Sequence, residues 1–120
     1  MSLVTRKPIF FGDATYQFQL TTPMILELER KTGVGVGLLI KRIAASRNSL
    51  DFRLTEVSEI IRLGLIGGGL KPERALELVE TYVHGKPLGN SQIIAMQILE
   101  ALYFGHDPNE DKVKDENGQA

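Results

Sequence analysis

"RLGLIGGGLKPERALELV", residues 62–79, holds four of the chain's twelve glycines, at Gly64, Gly67, Gly68 and Gly69. Either this loop cradles a phosphate, which would imply an α/β nucleotide-binding fold, or it joins two helices. A phosphate loop needs a strand before it, a nest of backbone N–H groups and a Lys-Ser/Thr pair. The residues before these glycines have a helical pattern instead. Leu70-Lys71-Pro72 follows them, and Pro72 removes a donor. A dinucleotide fingerprint at Gly33, Gly35 and Gly37 fails as well, because its third position falls on Leu38 or Ile40. The glycines therefore read as a structural hinge, and the chain as helical.

The same reading extends on both sides. Thr55 is placed to cap a helix of roughly 56–66, whose Val57, Ile60, Ile61 and Leu65 form one stripe with Gly64 at its centre. A mid-helix glycine costs ~1 kcal/mol against alanine, so a neighbouring element is expected to approach closely there. Downstream, a helix of about 72–84 starts at Pro72. It turns Leu76, Val79 and Val83 inward, flanked by Ala75 and Tyr82, and Glu73, Glu77 and Glu80 outward. "HGKPLGNS" reads as a loop before a helix of about 91–104 closed by Gly105.

Upstream, a helix of about 36–46 places Val36, Leu39, Ile40 and Ile43 inside and Lys41 and Arg42 outside. Before it, "TTPMILELERKTG" starts with Thr22 as N-cap and Pro23 at the first helical position, and ends at Gly33. Its inner face is Met24, Ile25, Leu28 and Thr32. "IFFGDATYQFQL" (9–20) reads as a β-hairpin turning at Gly12-Asp13, with Tyr16, Phe18 and Leu20 on one face. The expected fold is mainly α, an N-terminal β-hairpin packed on a bundle of about five short helices. Residues 1–8 are expected to be flexible, 9–105 to form one domain, and 106–120 to be a disordered acidic tail of charge −3.

Composition narrows the function. A hydrophobic fraction of 42% with 24% charged residues is that of a soluble globular domain. The net charge of −1 offers no general attraction for nucleic acid or anionic membrane. Lys31, Lys41, Arg42, Arg47 and Arg53 are locally basic but lack the aromatic interleaving of a single-strand binder. With no cysteine there is no disulfide or thiolate site. No apolar run reaches the ~20 residues of a membrane span, and no secretory leader is recognisable, which points to the cytoplasm. Glu77, Glu80 and His84 share a helical face, yet no second helix supplies matching metal ligands. None of Ser46, Ser49, Ser58 and Ser91 stands in a recognisable order with His84 for nucleophilic catalysis. No catalytic residue, metal or cofactor is expected.

The last helix has more apolar residues than one core face needs. Ile94, Ile98, Ala101 and Leu102 form its main stripe. Met96 and Tyr103 point away from it, with Leu99 between. Either the helix is surrounded on all sides, or Met96, Leu99 and Tyr103 form a partner-binding surface of the adaptable Met and aromatic type.

The chain resembles the gene transfer agent family of small phage tail proteins, which includes proteins of the tail assembly chaperone type. The resemblance covers roughly residues 9–105 and rests on "RLGLIGGG" (62–69), "RALELVETYVHGKPLG" (74–89) and "AMQILEALYFG" (95–105). It implies a non-enzymatic role in building a tail, with the tape measure protein or the tail tube protein as partner and a homo-oligomer as a further option. It also implies assembly in a bacterial cytoplasm and association with the particle's tail. The alternative is a small protein-binding regulator unrelated to tails.

Overall fold

The structure is a computed structural model that describes residues 2–45 and 50–111. Two strands, β1 (Lys7–Phe11) and β2 (Ala14–Phe18), form an antiparallel hairpin in which Phe11 pairs with Ala14 across the two-residue turn. Gly12 supplies the positive φ, +69°, that the turn requires. The turn is tied down chemically: Tyr16 donates its hydroxyl to Asp13 at 2.6 Å. That bond stabilises the neutral phenol and pushes Tyr16 above the usual tyrosine pKa.

The named α-helices among the described residues are α1 (Thr22–Thr32), α2 (Val36–Leu39), α3 (Leu54–Gly67), α4 (Pro72–Tyr82) and α5 (Leu88–Phe104), and residues 108–111 are helical as well. From α2 the chain continues as a π-helical segment over Ile40–Ala45. The core joins both strands to the helices through Phe11, Phe18, Leu28, Leu39, Ile43, Ile60, Ile61, Leu65, Leu78 and Ile98. α3 lies at its centre, packed on α1, α4, α5 and β2. The mainly α fold with an N-terminal hairpin is thus as the residue pattern indicates.

The glycine stretch is the seat of the hairpin. A Cβ on Gly67 would stand 1.9 Å from the Gln19 carbonyl oxygen, and one on Gly68 1.9 Å from that of Gln17. At Gly64 a Cβ would meet Phe18 at 3.3 Å and Ile98 at 3.4 Å, and the Gly64 carbonyl accepts the Gln19 N–H at 2.9 Å. Close approach therefore compensates the helical glycine, and it comes from β2 as much as from a helix. Gly69, at φ +113°, makes the reversal into α4.

Several local expectations are corrected. The N-cap of α1 is Thr21, and Thr22 is the first helical residue. α3 starts at Leu54 behind Arg53, so Thr55 lies inside the helix. The Glu56 carboxylate accepts the Arg53 N–H at 2.9 Å, holding that first turn. In α4 the inner stripe is Ala75, Leu78, Val79, Tyr82 and Val83, the i, i+3, i+4, i+7, i+8 pattern, while Leu76 is exposed. Residues 88–90, read as loop, form the first turn of α5.

Arg42, expected outside, is corrected too. In the wider π turn it faces α3 and pairs with Glu56, the two side chains being 16% and 1% exposed. Burying Glu56 is tolerable only because a guanidinium and a backbone N–H satisfy it. Nothing in residues 40–45 themselves dictates the π geometry.

At the chain's ends, Val4 and His106 exchange two backbone hydrogen bonds of 3.0 and 2.7 Å, and His106 pairs with Asp111 at 3.0 Å. The described ends are thus held together outside the expected limits of 9 and 105. The rest of the expected tail, 112–120, lies outside the described residues.

Candidate partner-binding groove

α5 is 17 residues long, about 25 Å at 1.5 Å per residue, and its two ends differ in environment. Its middle is enclosed by α3 and the π segment. Met96 is 9% exposed and Leu99 fully buried, so both expected partner-binding residues belong to the core. Most of the helix is therefore the surrounded kind. Only Tyr103 of the three is accessible, at 66%.

Beside Tyr103 stands Phe104, 72% exposed, the two rings edge to face with centroids 4.9 Å apart. The residue pattern did not single out Phe104, because a terminal aromatic just before a closing glycine looks like the last core contact. Together the two rings form one wall of a groove of about 510 Å³. Glu100 stands on that wall, and Gly37, Ile40, Lys41, Ala44 and Ala45 make the opposite one. α2 and the π segment thus present Gly37, Ala44 and Ala45 where α5 presents rings. Scattered exposed apolar residues are ordinary, but two adjacent aromatics over an apolar groove are the composition of a protein contact surface.

A second, smaller groove of about 370 Å³ lies at the other end of α5, between the hairpin's Phe10 and Phe11 and the helix's Ile93 and Ile94. Phe10 and Ile93 are exposed there.

The chemical candidates disperse. Lys71 is exposed on the turn after α3, where Gly67 and Gly68 are occupied by the backbone of Gln19 and Gln17 rather than by a ligand. Glu77 pairs with Arg74 at 3.2 Å on an exposed face, and no group of three or more acidic or histidine side chains could hold a metal among the described residues. The structure does bring one serine to a base: Ser58 Oγ is 3.4 Å from His84 Nε2. Ser58 is buried, so its hydroxyl is not open to a substrate. Of the basic residues, Lys31, Lys41 and Arg53 are exposed and Arg42 is internally paired, while Arg47, Ser46 and Ser49 lie outside the described residues. Among the described residues no helix is long and apolar enough to cross a membrane.

Comparison with known proteins agrees with the resemblance drawn from the glycine stretch and the last helix. No curated protein and no solved structure matches the chain. The family model described as phage tail tube protein, GTA-gp10, matches residues 6–105, which include the hairpin, its glycine seat and the whole of α5. The chain belongs to that family of phage and gene-transfer-agent tail proteins.

Proposed function

We propose that this chain is a non-enzymatic tail assembly chaperone that holds an apolar helical segment of the tape measure protein until the tail tube forms around it. The observation that carries the reading is the Tyr103–Phe104 pair beside its apolar groove. These rings sit at the end of a helix whose remaining apolar residues are largely used by the core, so they contribute to binding rather than to folding. A net charge near zero suits a partner recognised by apolar contact. The work would take place in the bacterial cytoplasm, before the particle is complete.

The family's own description favours a second reading, in which the chain remains in the tube. Mass spectrometry of purified particles separates the two. A chaperone is absent from finished tails, or present in traces, while the tape measure protein precipitates when the chain is deleted. Stoichiometric presence along the tail would establish a tube component and refute the chaperone.

A further inference from the structure

The smaller groove, about 370 Å³, lies along the edge of a strand. Consecutive strand residues point to opposite faces, so a groove lined by both Phe10 and Phe11 follows the edge of β1 rather than one face of it. β2 takes the other edge. Phe11 and Ala14 close the two-residue turn as a hydrogen-bonded pair, and Ile9 pairs with Tyr16 in the same way. Phe10, between them, therefore turns its N–H and carbonyl away from β2. Among the described residues no other backbone group meets either of them. Ser91 lines the same groove at 2% exposure, and among the described residues its buried hydroxyl has no hydrogen-bond partner. Buried polar groups are rarely left so.

We propose that this groove takes an extended segment of a partner protein, added as a short strand along β1. The segment's backbone accepts from the Phe10 N–H and donates to the Phe10 carbonyl, and its apolar side chains cover the exposed Phe10 and Ile93. The Ser91 hydroxyl, able to donate or accept, meets a polar atom of the same segment. A helical partner spends its N–H and carbonyl groups within itself and would leave Phe10 unanswered, so the occupant is a strand. Pro8 has no N–H, and the edge offers one complete pair at Phe10 with a lone carbonyl two residues before it. That suits a short bound segment and opposes open-ended strand stacking. Neither Tyr103 nor Phe104 takes part, so this site stands independently of the chaperone reading.

The probe is an array of random peptides of about ten residues, screened with the labelled intact chain, the best binder then being measured in solution. Hydrogen exchange at the Phe10 amide should slow when that peptide binds. N-methylating alternate amides of the peptide should abolish binding in one register and spare it in the other. Phe10→Pro removes the N–H without touching the bonds to β2, and should bind on the order of tenfold more weakly than Phe10→Ala, which keeps it. Ser91→Ala should weaken binding roughly fivefold yet melt no lower than the parent, because the hydroxyl it loses has no partner. Ile93→Glu, at an exposed position, should abolish binding with unchanged circular dichroism. Should Phe10→Pro fail to fold, exchange at Phe10 and the N-methyl peptides decide the matter. An array without a binder overturns the site, as does a bound peptide that leaves Phe10 exchange unchanged or tolerates N-methylation in both registers. A chain that dimerises through Phe10 by itself also overturns it, because the occupant would then be a second copy.

Discussion

Replacing Gly68 by alanine tests the central feature of the fold, the seating of β2 on the glycines after α3. The new Cβ would stand 1.9 Å from the Gln17 carbonyl oxygen, against the 3.4 Å at which ordinary contact begins. The obstacle is backbone, so no rotamer change relieves it, and the strand must retreat by about 1.5 Å. Overpacking of this kind costs about 1–3 kcal/mol. The retreat also strains the 2.9 Å bond from Gln19 to Gly64, worth about 1 kcal/mol, and loosens Phe18 and Leu20. Against this, alanine restricts the unfolded chain and returns roughly 0.4–1 kcal/mol. The net expectation is a loss of about 3 kcal/mol, a fall of roughly 10 °C or more in Tm. Gly89→Ala is the matched control: nothing lies within 4 Å of its Cβ, and it stands in the first turn of α5. It should gain about 0.5–1 kcal/mol. Urea unfolding of both variants, with m unchanged, measures the difference. Equal stabilities would refute the seat.

Glu56→Ala removes one member of the buried pair and leaves Arg42 facing α3 unpaired; a loss of about 3 kcal/mol is expected in urea unfolding, and a change under 1 kcal/mol would contradict burial of the pair. Gly64→Leu should destabilise by about 3 kcal/mol through collision with Phe18 and Ile98, and a parental melting curve would show that this helix face is open. Met96→Glu should unfold the chain as an unpaired buried carboxylate does, while Tyr103→Glu keeps native circular dichroism; similar spectra for the two would mean that α5 is rotated. Lys71→Ala should leave the melting curve unchanged, and nucleotide binding by the parent that disappears in this variant would restore the phosphate reading.

What was legible in the residues followed from local chemistry. The Gly12-Asp13 turn, Pro23 and Pro72 at helix starts and the alternation of β2 each act within a few positions, and they place the hairpin and the helices correctly. The glycines could be recognised as structural because the partners of a phosphate loop were missing. That they seat a strand was out of reach, since contact between Gly68 and Gln17 joins residues some fifty positions apart. The same limit explains Arg42: beside Lys41 it reads as one of a solvated basic pair until tertiary structure supplies Glu56. In α4 the error was one of phase, because Leu76 is a stronger hydrophobe than Ala75, yet the small residue is what lies against the core. On α5 the apolar excess was real, but only tertiary packing could divide it between the buried Met96 and Leu99 and the exposed Tyr103 and Phe104.

If the exposed end of α5 holds a tail protein as proposed, co-expression with the tape measure protein shows it. The parent chain should keep the tape measure protein soluble and co-purify with it. The chain carrying Tyr103→Glu with Phe104→Glu should fold normally, both residues being exposed, and lose that co-purification. Undiminished co-purification of the folded double variant would contradict the claim and place the binding surface elsewhere on the molecule.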